Sequence, residues 1–211
     1  MPKTLLFVGD SITEWGRHED ARGIGSGYVN EIYKDLFSRY PDWTVLNRGV
    51  WDDRIDHLEK RWEKDVLAID PDVLSISIGV NEAWHHFDKP ELTQVEPDQF
   101  EEIYHRILQQ LHPKTALILM EPTIIEENPR SRGNQLLMEY VEIVRRLAAQ
   151  YGAILVPAHA VFIRTLQKGN HAALTTDGVH LTDEGKKLLA DAWKKAAGEI
   201  VYSNELPAGR K

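Results

Sequence analysis

Leu5-Leu6-Phe7-Val8-Gly9-Asp10-Ser11 is the stretch from which the fold can be read: four apolar residues with no polar alternation, then a glycine, an acid and a serine. An unbroken apolar run of this length suits a strand buried on both faces, the kind found in parallel sheets. Similar runs recur at Thr44–Asn47, Val73–Ile78, Ala116–Met120 and Ala153–Val156. Between them apolar residues return every third or fourth position, as a helix buried along one side requires. These sets are Val29, Ile32, Tyr33 and Leu36; then Ile55, Leu58, Trp62 and Val66; then Phe100, Ile103, Tyr104, Ile107, Leu108 and Leu111; then Leu136, Leu137, Tyr140, Val141, Val144 and Leu147. A last helix is expected from about Asp183 through Leu188, Leu189, Ala192 and Trp193, with Thr182 as its N-cap and two acids at its positive end. Strand–helix alternation of this kind predicts an α/β three-layer fold with a five-stranded parallel sheet in flavodoxin-like order. Thr123 to Arg132, polar and containing Pro129, reads as a long loop, and Leu206–Lys211 as a frayed tail.

The 211 residues hold no internal repeat, low-complexity tract or linker, so one domain spanning 1–211 is expected. A net charge of −8 argues against nucleic acid as a partner. With no cysteine there is no thiol nucleophile, no disulfide and no cysteine metal site. The N-terminal apolar run is shorter than the roughly 7–15 residues of a signal-peptide core and the roughly 20 of a membrane span, so a cytoplasmic protein without membrane contact is expected.

Chemistry gathers where the first three strands end. The loops that follow them hold Gly9-Asp10-Ser11, Asn47-Arg48-Gly49 and Gly79-Val80-Asn81-Glu82. In a parallel sheet such loops leave the same edge, beside the switch point where ligands bind. Near the C-terminus stands Asp177-Gly178-Val179-His180. These residues supply the parts of an acyl-transfer site. Ser11 is the nucleophile, His180 the base that takes its proton, and Asp177 the carboxylate that orients the base. The backbone N–H groups of Ser11 and Gly49 and the side-chain amide of Asn81 are the candidate oxyanion-hole donors. The same residue types have blander uses: Ser11 as a helix cap, Gly49 as a turn, Asn81 as a structural amide. Asp10 is expected to brace its loop by hydrogen bonds.

Taken together the four blocks resemble the SGNH, or GDSL-type, hydrolases, a family of serine esterases and lipases. The resemblance spans most of the chain and implies a flavodoxin-like fold, a triad of Ser11, His180 and Asp177, and an oxyanion hole of Ser11, Gly49 and Asn81. Four further segments are most similar to intracellular bacterial acetyl-xylan esterases and carbohydrate deacetylases: residues 9–17, Gly25-Ser26-Gly27-Tyr28, residues 61–66 and residues 79–84. That subgroup implies acetyl esters of small carbohydrates as substrate, no cofactor, and a homo-oligomer. Two departures bear on substrate. Val50-Trp51-Asp52-Asp53-Arg54 stands where Ser-Gly-Asn-Thr-like residues are usual, and Glu82 stands where an aspartate is usual. The competing readings are a lysophospholipase or acyl-CoA thioesterase, and a catalytically inert ligand-binding protein on the same fold.

Trp15, Trp51 and Trp84 each follow one of the site segments and are candidate substrate-binding walls, since sugar rings stack on indole faces. His85, His86 and Asp88 invite a metal reading, but adjacent histidines point to different faces and no His-Glu-x-x-His is present, so pocket-rim or solvent positions are expected instead. Gly23-Ile24-Gly25-Ser26-Gly27 lacks the preceding strand and third glycine of a dinucleotide loop and reads as a flexible loop.

Overall fold

The computed structural model describes residues 3–202; the tail 206–211, expected to fray, lies outside them. Five strands, β1 (Thr4–Gly9), β2 (Thr44–Gly49), β3 (Val73–Ser77), β4 (Ala116–Met120) and β5 (Ile154–Val156), form one sheet in the order β2-β1-β3-β4-β5. Every pairing is parallel. This is the expected α/β arrangement. β1 and β2 run further than their apolar residues suggest, because Gly9 and Gly49 still pair with each other. Gly9 pairs with Ser77 on its other side. The first three strands therefore end level, and their loops start side by side.

Among the described residues eight helices accompany the strands: α1 (Ser11–Glu14), α2 (Tyr28–Arg39), α3 (Ile55–Trp62), α4 (Val80–Asp88), α5 (Pro97–Gln109), α6 (Arg132–Gln150), α7 (Ala158–Lys168) and α8 (Asp183–Tyr202), with α3 widening into a π turn over Glu63–Leu67. α2 and α7 pack against α8 on one side of the sheet, while α3, α4, α5 and α6 pack among themselves on the other. Alternation along the strands sorts the core between the two sides. Phe7 and its register partner Ser75 face α2 and α8, where Phe7 packs its ring against Tyr28 and Trp193. The Trp193 indole donates to Ser75 Oγ at 3.0 Å, which settles the only polar side chain at the centre of that strand. Thr182 Oγ1 accepts from Gly185 N at 3.2 Å and caps α8 as expected.

α4 and α7 were not expected. The α4 sequence carries Asn81, Glu82 and His85 on buried positions, so polar residues interrupt its apolar stripe. In α7 the buried set Ala158, Phe162 and Leu166 is masked by the neighbouring apolar Val161 and Ile163. The segment 23–27, expected to be flexible, is braced: Asp20 Oδ2 accepts from Ile24 N at 3.2 Å and Gly25 N at 3.0 Å. Glycine is needed at Gly25, where φ is +89° and a Cβ would lie 2.5 Å from the Trp15 carbonyl oxygen. The segment is thus a backing for Trp15. Among the described residues no helix is long and apolar enough to cross a membrane.

Candidate active site

Ser11 is the first residue of α1, two positions after β1 ends. Asp10 caps that helix by accepting from Ile12 N at 3.0 Å, the bracing role expected of it. Burial pushes the Asp10 carboxyl up to about 7, against the opposing hydrogen bond from Ile12. A helix of four residues leaves the Ser11 N–H with no intrahelical acceptor. The Ser11 hydroxyl therefore stands beside a backbone donor that has no partner among the described residues.

His180 reaches Ser11 from a tight turn between α7 and α8. Its Nε2 lies 3.1 Å from Ser11 Oγ, and its Nδ1 lies 2.6 Å from Asp177 Oδ2. The other carboxylate oxygen of Asp177 accepts from Val179 N at 3.0 Å and His180 N at 2.8 Å. Partial burial raises the Asp177 carboxyl, but the His180 ring and the two backbone N–H groups outweigh it and hold the group below the usual carboxylate range. An ionised Asp177 can only accept, so Nδ1 carries the ring proton and Nε2 is left to accept from the Ser11 hydroxyl. The turn is fastened from the loop after β4. Glu126 N donates to Gly178 O at 2.7 Å, and Glu127 Oε1 accepts from Leu174 N, Thr175 N and Thr175 Oγ1 at 2.6–2.9 Å. Residues 123–132, expected only as a loop, thus hold the segment that carries Asp177 and His180 in place through Glu126 and Glu127.

Of the expected oxyanion donors, Gly49 does not fit. Its N–H donates to Asn47 Oδ1 at 2.9 Å, and a Cβ there would lie 2.3 Å from Glu14 N. Gly49 is glycine because α1 crosses directly over it, and its donor is already spent on its own loop. Farther along, Trp51 and Asp52 have N–H groups without an acceptor among the described residues, and Asp52 takes a left-handed φ of +65°. Asn81 is buried at the start of α4, and its Nδ2 donates to Asp53 O at 2.9 Å. One amide proton holds the loop at the Asp53–Arg54 peptide, and the other has no acceptor among the described residues.

Two further side chains lock the three loops together. Arg61 Nη2 donates to Gly9 O at 3.1 Å, Nη1 to Arg48 O at 2.7 Å, and Nε to Asp53 Oδ2 at 2.7 Å. Glu82 Oε1 accepts from Ile55 N at 2.6 Å, which anchors α4 to the start of α3. Complete burial pushes the Glu82 carboxyl up to about 8.

The tryptophans divide. Trp51, 56% exposed, lies flat on the His180 ring at 4.7 Å between centroids and 16° between planes. Trp15 sits 6.0 Å from Trp51 and 5.5 Å from His180, with Lys186 Nζ 5.1 Å from its ring centroid. Trp84 packs against the core and joins no ring contact with them among the described residues. His85, expected at the rim or in solvent, is instead buried and pairs with Asp52. Among the described residues no three His, Asp or Glu side chains are placed to hold a metal ion.

Residues 7–188 match the GDSL-like Lipase/Acylhydrolase family. The chain belongs to that family. The acetylxylan esterase of Geobacillus stearothermophilus is 33% identical over 204 residues, covering 92% of this chain and 93% of that one. A solved structure of a catalytic mutant of that enzyme superposes with a TM-score of 0.85 over 92% of this chain and 93% of the other. LAE5, an alpha/beta hydrolase enzyme from the metagenome of Lake Arreo, Spain, is 31% identical and gives 0.86 over 93% and 95%. Fold and family thus make the chain a GDSL hydrolase related to acetylxylan esterases, a carboxylic ester hydrolase in type. The catalytic mutants of the Geobacillus enzyme replace a serine, an aspartate and a histidine, the last two three positions apart.

Proposed function

We propose that the protein removes acetyl groups from small carbohydrates, xylo-oligosaccharides foremost, by a double displacement at Ser11. The observation that carries this reading is the continuous line from Ser11 Oγ through the His180 ring to Asp177 Oδ2, with links of 3.1 and 2.6 Å. Ser11 Oγ attacks the ester carbonyl while its proton passes to His180 Nε2. The imidazolium so formed is held by the Asp177 carboxylate. The carbonyl oxygen, now an oxyanion, takes hydrogen bonds from Ser11 N–H, Asp52 N–H and the free amide proton of Asn81, with Asp52 serving where Gly49 was expected. The C–O bond to the sugar breaks, and the sugar hydroxyl leaves with the proton from His180. Water then attacks the acetyl-enzyme, gives its proton to His180, and acetate leaves as Ser11 recovers that proton.

The indole faces of Trp15 and Trp51 beside His180 suit a pyranose ring. A solved relative, 30% identical, is described as an acetyl-xylooligosaccharide esterase, which favours the same substrate class. The test is release of acetate from acetylated xylo-oligosaccharides, alongside a series of p-nitrophenyl esters, by wild type and Ser11→Ala in parallel. The reading predicts acetate release that Ser11→Ala abolishes. A preference for acyl chains of about eight carbons or more, which need a longer apolar groove, would overturn the substrate.

A further inference from the structure

We infer that Asp52, His85 and Lys89 form a latch that holds Trp51 on the catalytic histidine and thereby restricts the enzyme to short acyl groups; this rests on the esterase reading above. Asp52 is a non-glycine residue at φ +65°. Such a conformation persists only where the surroundings over-determine it. Here the surroundings are specific. The Asp52 carboxylate meets His85 Nε2 at 2.9 Å through one oxygen and Lys89 Nζ at 2.5 Å through the other. His85 is four residues beyond Asn81 and Lys89 is four beyond His85, so all three lie along one side of α4 and its C-cap. The helix that supplies the Asn81 amide thus also grips the opposite loop through the side chain of Asp52.

What the grip controls is Trp51. Its indole is more exposed than not and makes no hydrogen bond among the described residues; its ring contacts there are with His180 and Trp15. The backbone that carries it is set by the next residue. Because Asp52 N–H faces the acyl carbonyl in the reaction proposed, the side chain one position earlier flanks the acyl group. A longer acyl chain must move the indole off His180, and the latch resists that movement. Neither His85 nor Lys89 touches substrate in this account; both are positioning residues acting through Asp52.

The experiment compares kcat/KM for p-nitrophenyl acetate and butyrate in wild type, Lys89→Met, Lys89→Arg, Asp52→Gly, Trp51→Ala and the double variant Trp51→Ala/Lys89→Met. Acrylamide quenching of tryptophan fluorescence is measured on each, with Trp51→Phe subtracted to isolate the signal of Trp51. The butyrate-to-acetate ratio is expected to rise at least fivefold in Lys89→Met and in Asp52→Gly, which keeps the left-handed turn but loses the carboxylate. Lys89→Arg should return it to within twofold of wild type. Trp51→Ala should raise the ratio as much as the double variant does, since the latch has nothing left to hold. Trp51 should become more quenchable in Lys89→Met. An active wild type with an unchanged ratio in Lys89→Met and Asp52→Gly, or unchanged quenching of Trp51, would overturn the latch alone. An inactive wild type would overturn the ester reading and the selectivity claim together.

Discussion

At the scale of single residues, the proton inventory of the site decides its chemistry. Asp177 spends both oxygens on N–H groups of its own turn and on the His180 ring. An asparagine there would present an amide to the ring and favour the wrong tautomer at Nε2. Asp177→Asn should therefore lower kcat by about 10⁴-fold with KM little changed, as steady-state kinetics on p-nitrophenyl acetate would show. Asn81 has a different part. One of its amide protons is bound to Asp53 O, and the other is offered to the oxyanion. Asn81→Ala should cost about 10²–10³-fold in kcat while Ser11 stays chemically reactive. That Ser11, His180 and Asp177 belong to one site was legible in the sequence because they are side chains in a recognisable order, and the fold brings the three together. The role of Gly49 was not, because whether a backbone N–H is free depends on a side chain, here Asn47, that spacing does not reveal.

Among elements, α4 illustrates both the strength and the limit of reading periodicity. The five strands declare themselves as apolar runs, and the long helices as three-and-four spacing. α4 escapes because it buries Asn81, Glu82 and His85, each held by a partner from another loop. Function overrides the amphipathic rule there, and the mismatch itself marks the site. Burial of Glu82 has a measurable consequence. Its carboxyl is raised from the usual 4.5 to about 8, so the folded state binds a proton more readily than the unfolded chain. That contribution to stability is complete below pH ~4.5 and is lost as pH rises through about 8, at up to about 1.4 kcal/mol per pH unit. Asp10 acts in the same sense over the range from 3.8 to about 7. Glu82→Gln removes one of these two losses. Urea unfolding at pH 5 and pH 8 should show a clearly smaller drop in stability for Glu82→Gln than for wild type; an equal drop would show that Glu82 is charged throughout.

Seen as a whole molecule, one sheet and one continuous apolar cluster join all the described strands and helices. The expected single domain then predicts one cooperative transition, with tryptophan fluorescence and far-ultraviolet circular dichroism melting together. Two separated transitions would contradict it. The same continuity explains how residues 169 positions apart come to share a proton: β1 carries Ser11 to the active edge of the sheet, and the turn before α8 brings His180 to the same place. The sheet order was legible from alternation alone. The fastening of that turn by Glu126 and Glu127 was not, since a loop's anchoring depends on what the fold sets beside it. The central claim is that this architecture makes Ser11 the nucleophile, and covalent trapping tests it most directly. Protein treated with a fluorophosphonate is digested and its peptides weighed. The account predicts a single adduct on the peptide containing Ser11, absent from Ser11→Ala and strongly slowed in His180→Ala. No adduct on the wild-type protein, or an adduct that persists in Ser11→Ala, would contradict it.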